Sequence, residues 1–204
     1  MALDVPVFCI CGASAAGKST FAAAISDQLQ ERGIRSLLIT CDDYYKSDWV
    51  PHPVFGFDTI DAIDDSQLRL DLQGAANKRI TQLRHYDMRR RQVGQRSIPQ
   101  DYDLILLEGS YGPQHLLGHF NFAAFVYLEE SILLRLIRRY QRDVRERDRT
   151  PFYVLHQMFW EMLPGERTFI HPLREQADLV LRVRDGGVEL LLKRIEDALR
   201  IICG

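Results

Sequence analysis

The sequence predicts an α/β fold in which a five-stranded, mostly parallel sheet is covered by helices on both faces. Three observations lead there. Five strand-like runs, at 5–10, 35–41, 101–109, 121–130 and 177–183, alternate with segments of helical spacing. The runs are apolar on both sides, as strands buried on both faces are. The first run passes through a loop of small residues straight into a helix, the order expected of a crossover unit.

Taken in order, VPVFCI (5–10) is a buried strand. Residues 17–31 have helical spacing, and Gly33 ends that helix. RSLLITC (35–41) is the second strand, followed by the acidic and aromatic DDYYK. Residues 47–60 combine prolines with aromatics and read as a loop. DDSQLRLDLQGAANK (64–78) places a capping acid ahead of a helical pattern. Residues 79–97 are polar, irregular and basic, compatible with short strands. DYDLILLEG (101–109) and NFAAFVYLEE (121–130) are strands. SILLRLIRRYQRDVRER (131–147) is an amphipathic, arginine-rich helix, and a further helical stretch covers 151–163. ADLVLRV (177–183) is the last strand and VELLLKRIEDALRII (188–202) the last helix.

No repeat, low-complexity tract or linker divides the 204 residues, so one domain is expected over 1–204. A net charge of -2 gives no global attraction to nucleic acid or to a membrane surface, and any basic function must be local. No apolar run approaches the roughly 20 residues of a membrane span. MALDVPVFCI has neither a basic n-region nor a small-residue cleavage site, so no secretory signal is expected and the location is read as cytoplasmic. Cys9 and Cys11 have the spacing of a metal C-x-C, but no second pair or nearby histidine supports one. They, Cys41 and Cys203 are read as buried, reduced thiols.

The chemistry begins at CGASAAGKST. Gly12-Ala13-Ser14-Ala15-Ala16-Gly17-Lys18-Ser19 fits G-x-x-x-x-G-K-[ST], with a strand before it and a helix after it. The glycines let the backbone wrap a phosphate chain. Successive N–H groups and the helix N-terminus face the anion. Lys18 supplies a cation for the β- and γ-phosphates, and the Ser19 hydroxyl suits a Mg²⁺ ligand. The expected fold is therefore that of the P-loop NTPases, with Gly12 through Thr20 holding ATP. An N-K-x-D-like guanine reader is missing, which argues against a GTPase. Asp42 and Asp43 end the second strand, and Glu108 ends the third. Ligands of open α/β sheets bind at the carboxyl ends of strands, so these acids are expected to converge with Ser19 near the γ-phosphate.

Further motifs follow in a fixed order: TCDDYYK, FDTIDAID, HYD, LILLEG and RLIRRYQRDVRERDR. Together with GASAAGKST they resemble the uridine kinase / phosphoribulokinase family of P-loop kinases, and most closely its uridine–cytidine kinase branch. The resemblance runs through most of the chain. It implies an ATP- and Mg²⁺-dependent kinase, with a substrate-side insertion at about 44–97 and a lid at about 138–150. It implies that Asp42 is the general base, that Glu108 orients the Mg²⁺ ion with Ser19, and that Asp58 accepts hydrogen bonds from ribose hydroxyls. It assigns Arg142 and Arg147 to the transferred phosphate, beside Lys18, and Arg139 and Arg149 to the acceptor sugar. It puts Tyr86 at the nucleobase. Members often self-associate, so a homo-oligomer is a further expectation.

The pattern is not followed everywhere. The glycine between the last two lid arginines is Asp148, and the proline of the F-D motif is Ile60. Arg91 falls where the branch has a pyrimidine-reading histidine. Arginine offers donors only, so it suits a carbonyl oxygen, a phosphate or a carboxylate but not the amino group of cytosine. Arg84 and Arg96 add local positive charge. On the residues alone, the arginine run is also the pattern of a solvated helix face, with Asp143 and Glu146 as partners. Tyr44, Tyr45, Phe57 and Tyr86 are either walls for a flat ring or ordinary packing. The leading expectation is a kinase for the primary hydroxyl of a ribonucleoside, uridine or cytidine favoured, with no nucleic-acid or membrane partner. The alternatives are a kinase of the same fold for a sugar, sugar phosphate or vitamin precursor, and a nucleotide-binding regulator without transfer activity. The presence of Asp42 and of the arginine lid argues against the last.

Overall fold

The computed structural model describes residues 5–203. Its centre is a five-stranded sheet of β1 (Val7–Cys11), β2 (Ser36–Thr40), β5 (Leu104–Gly109), β6 (Ala124–Leu128) and β7 (Leu179–Leu181), in the order β2-β5-β1-β6-β7. Every pairing in it is parallel. Between β2 and β5 the chain makes a separate antiparallel hairpin of β3 (Gln82–Asp87) and β4 (Gln92–Ser97). The basic, irregular stretch of the sequence is thus one hairpin outside the main sheet.

Alternation along each strand builds two cores. Val7, Cys9 and Cys11 of β1 face one side with Ile105 and Leu107 of β5. Phe8 and Ile10 face the other with Leu104 and Leu106. The second side is covered by α1 (Lys18–Glu31), through Phe21, Ile25 and Leu29, and by α8 (Gly187–Cys203), through Leu191, Leu192 and Ile195. The first side is covered by α2 (Asp65–Ala76), through Leu68 and Leu72, and by the short α3 (Pro113–Leu116). Asp64 caps α2 by accepting the Gln67 N–H at 3.1 Å. Truncating a fully buried residue such as Ile10 to alanine would cost about 2–5 kcal/mol, because close-packed strands on both sides cannot collapse into the gap.

A third structural layer carries the arginines. Helix α4 (Ile132–Arg145) is followed by α5 (Pro151–Gln157). The sequence signal for helix stops at 163, before Pro164 and Gly165. The chain nevertheless stays helical through α6 (Leu163–Gly165), with wide π turns at Met158–Met162 and Glu166–Ile170, and ends in α7 (Leu173–Gln176). Wide turns absorb the hydrogen bond that proline cannot make. Cys9, Cys11 and Cys41 are free and buried. Burial pushes the Cys11 thiol up to about 12, so it stays protonated. The side chain of Cys203 lies outside the described residues. No helix among the described residues is long and apolar enough to cross a membrane.

Candidate functional site

The carboxyl ends of β1, β2 and β5 and the inner face of α4 enclose a cleft of about 830 Å³. The phosphate loop forms one wall. Gly12 sits at φ +148, and a Cβ there would lie 2.5 Å from the Leu128 carbonyl oxygen, so the loop can leave β1 only through a glycine. Lys18 is buried, and its Nζ donates to the Ala13 carbonyl at 3.0 Å and to Ser110 Oγ at 2.6 Å. Burial lowers its pKa, against the raising effect of Glu108 and Asp42. Ser19 Oγ donates to Glu108 Oε1 at 3.0 Å. Burial raises the pKa of Glu108, and the neighbouring Asp42 charge raises it further, while Lys18 opposes both.

The two adjacent acids after β2 part company. The Asp42 side chain is exposed in the cleft. Asp43 is buried and turned toward the hairpin: its Oδ1 accepts the Tyr86 N–H at 3.0 Å and lies 3.0 Å from His85 Nδ1. The convergence expected of Asp43 with Ser19 does not occur, because its carboxylate seats β3 instead. Arg84 and Arg96 serve the same junction. Arg84 donates to the Asp43 and Tyr45 carbonyls and to Asp64, and Arg96 to the Leu38 carbonyl. Their charge is committed to holding the hairpin rather than to the cleft.

At the far end of the cleft stand Tyr45, Phe57, Asp58, Tyr86 and Arg91. The rings of Tyr45 and Tyr86 lie 6.0 Å apart, and the Arg91 guanidinium sits 5.0 Å over the Phe57 ring while donating to the Trp49 carbonyl. Tyr44 does not join them. It is fully buried and donates to Asp71 at 2.9 Å. Both oxygens of buried Asp58 face the Arg139 fork, at 3.1 and 3.2 Å.

The arginines of the expected lid meet on one carboxylate. Asp143 is 0 % exposed, yet Arg142, Arg147, Arg149 and Arg139 lie 3.0, 3.3, 3.5 and 3.6 Å from its oxygens. Burial pushes its pKa up, but Arg139, Arg142 and Arg147 outweigh that and hold it below the usual carboxylate range. Four cations on one anion leave a net positive wall over the phosphate loop, the field that a polyphosphate needs. Asp148, where a glycine was expected, takes the left-handed conformation at φ +53 that glycine would favour, so the turn leading to Arg149 survives the substitution.

Four residues around the loop were not anticipated: Ser110, Tyr111, Arg135 and Glu166. Ser110 directly follows Gly109, the last residue of β5, and its position at a strand's carboxyl end was the signal available for it. Glu166 is fully buried; it accepts the Ser14 backbone N–H at 2.8 Å and pairs with Arg135 at 2.8 Å. Gly165 lets this segment approach, since a Cβ there would strike the Asp58 carbonyl oxygen. Nothing local in the sequence marks these contacts.

The model of the Phosphoribulokinase / Uridine kinase family matches residues 7–186. The uridine kinase of Lactobacillus johnsonii is 29% identical over 205 residues, covering 95% of both chains. The uridine kinase of Halobacterium salinarum is 27% identical over 203 residues, covering 96% of this chain and 88% of its own. Among solved structures, one titled a possible uridine kinase from Bacillus stearothermophilus aligns with a TM-score of 0.60 at 20% identity, over 89% of this chain and 90% of its own. The D-glycerate 3-kinase of Cryptococcus neoformans aligns with a TM-score of 0.61 at 15% identity, over 90% and 88%. At that identity the structural likenesses speak for the fold.

Proposed function

The chain belongs to the phosphoribulokinase / uridine kinase family and is a phosphotransferase with an alcohol group as acceptor, and we propose that it transfers the γ-phosphoryl group of ATP to the primary hydroxyl of a ribonucleoside, with uridine or cytidine favoured. The observation that carries this reading is the composition of a single cleft. A phosphate-binding loop lies at one end, aromatic rings and the Asp58–Arg139 pair lie at the other, and the exposed Asp42 carboxylate stands at the cleft wall.

In this reading Lys18 and the N–H groups between Gly12 and Thr20, apart from the Ser14 N–H that Glu166 holds, bind the triphosphate. The donor set of Ser19 and Glu108 is hard oxygen, 3.0 Å apart, and fits Mg²⁺. Bound there, the ion supplies neutralisation of charge on the β- and γ-phosphate oxygens. Asp58 and Arg139 orient the ribose hydroxyls; Tyr45, Phe57, Tyr86 and Arg91 flank the base; Arg149 guards the sugar side. Asp42 accepts the proton of the acceptor hydroxyl as that oxygen bonds to the γ-phosphorus and the bond to the ADP oxygen breaks. Arg142 and Arg147 face the charge on the moving phosphoryl group. A carboxylate is a sufficient base because positioning and charge neutralisation carry most of phosphoryl transfer.

One observation favours a second reading. Arg91 over Phe57 presents donors alone, and Arg89 lines the same rim. That pair suits an acceptor bearing a phosphate or carboxylate. The test is ADP release from ATP and Mg²⁺ over a panel of nucleosides, sugars, sugar phosphates and vitamins. Strongest stimulation by uridine or cytidine is expected. Stimulation confined to anionic acceptors would replace the first reading by the second.

A further inference from the structure

Ser14 has all three of its polar groups claimed by buried ionised side chains. Its N–H donates to Glu166 Oε1 at 2.8 Å, its carbonyl accepts from Arg135 Nη1 at 3.2 Å, and its Oγ accepts from Arg139 Nη1 at 2.9 Å. Arg135 is itself bound to both Glu166 oxygens, at 2.9 and 2.8 Å. The Arg139 nitrogen that holds Ser14 Oγ also holds Asp58 Oδ1, at 3.1 Å. Glu166 is 0 %, Arg135 4 %, Asp58 4 % and Arg139 6 % exposed.

Rigidity alone does not call for such an arrangement. Buried ion pairs are often no more stabilising than well-packed apolar groups, so a loop that needed only to be stiff could be held without them. What the ionic cluster adds is continuity. Asp58 faces the acceptor end of the cleft, Ser14 belongs to the donor loop, and one guanidinium nitrogen serves both. A hydroxyl that hydrogen-bonds to Asp58 draws on the same lone pairs that aim Arg139. Re-aiming Arg139 alters its bond to Ser14 Oγ, while Glu166 and Arg135 hold the Ser14 backbone as a fixed pivot. Coupling between two sites is reciprocal, so a ligand at Asp58 and a nucleotide in the loop must change each other's affinity by the same factor.

We infer that Ser14 is a positioning residue that couples the state of Asp58 to the phosphate loop through Arg139, with Glu166 and Arg135 as its clamp. The inference rests on the kinase reading of the cleft, in which the loop holds the donor and Asp58 meets the acceptor.

The test needs no acceptor. ADP binding to the full chain is titrated calorimetrically for the wild type, Ser14→Ala, Asp58→Asn and the double variant. Asp58→Asn is expected to change ADP affinity about fivefold or more, the lower range of allosteric coupling. In the Ser14→Ala background the same change is expected to shift affinity less than about twofold, a non-additivity that contacting residues show and independent ones do not. Thermal midpoints are read beside these values, since a purely structural bond would lower the midpoint and leave the cycle additive. Should Asp58→Asn not fold, Arg139→Lys takes its place in the cycle: it keeps the charge, loses the fork, and is expected to be non-additive with Ser14→Ala in the same way. Additive effects, or ADP affinity indifferent to both variants, would overturn the coupling while leaving the donor site standing. A wild type that binds no ADP would overturn the donor reading and the coupling with it.

Discussion

Neighbouring acids with opposite surroundings make the sharpest test of the site. Asp42→Asn removes a carboxylate that is exposed in the cleft. Exposed substitutions of this kind change stability by about 0.5 kcal/mol or less. For a chain of this size 1 kcal/mol shifts the melting midpoint by about 2–4 °C, so the midpoint should move no more than about 2 °C. Losing a general base costs about 10²–10⁴ in rate, or roughly 3–5.5 kcal/mol at 1.36 kcal/mol per decade. ATP affinity should hold or tighten, because a negative charge beside the phosphates is gone. Asp43→Asn is the converse. Its carboxylate is buried and takes the Tyr86 N–H at 3.0 Å. Perturbing a buried, charge-assisted bond costs about 1–3 kcal/mol, which corresponds to a midpoint lower by about 2–12 °C. Its turnover should stay within about tenfold of wild type, the decade being worth about 1.4 kcal/mol. The assay is coupled ADP release with the best acceptor of the panel, run beside thermal unfolding and ATP titration. Near-normal turnover in Asp42→Asn would remove it from the base role, and a well-folded but inactive Asp43→Asn would reverse the two assignments.

Other expectations bear on the loop, the lid and the acceptor. Gly12→Ala sets a Cβ 2.5 Å from the Leu128 carbonyl; ADP titration should find affinity reduced by about tenfold or more, equivalent to about 1.4 kcal/mol, and unchanged binding would mean that the loop leaves β1 differently. Asp143→Asn should destabilise the protein by about 3 kcal/mol, the low end for a broken buried ion pair because three of its four arginines are partly hydrated. Since the folded pKa of Asp143 is depressed, its stabilisation is complete above the ordinary carboxylate value near ~4 and is lost as pH falls through the lower folded value. Melting curves of wild type and variant should therefore stay a constant distance apart above about pH 5 and converge below it; curves that diverge in acid would contradict this sign. Arg91→His exchanges a donor-only side chain for one that also accepts, and the acceptor panel should shift toward cytidine relative to wild type; an identical profile would show that Arg91 does not read the acceptor.

What could be read from the sequence was what neighbouring residues express together. The strand, glycine-framed loop and helix around Lys18 occupy one contiguous stretch, and their order alone predicts a phosphate cradle at the carboxyl end of a strand. The three inner strands β1, β5 and β6 were legible for the same reason, since burial on both faces leaves an uninterrupted apolar run, while β2 and β7 at the sheet's ends are only partly buried. The ordered motifs carried Asp42, Asp58, Glu108 and the arginines into one family pattern. Only the tertiary structure separated Asp42 from Asp43, because the two differ by which side of a single turn meets the hairpin, and composition does not encode that. It alone turned Arg84, Arg96 and Tyr44 inward, where sequence pattern saw charge and aromatic surface. Glu166 was invisible for a plainer reason. Its partner Ser14 is 152 positions away, joined to it by the way a π turn, a glycine and a loop pack together in space. Local periodicity reports which face of an element is buried; it carries no information on which distant atom that face will meet.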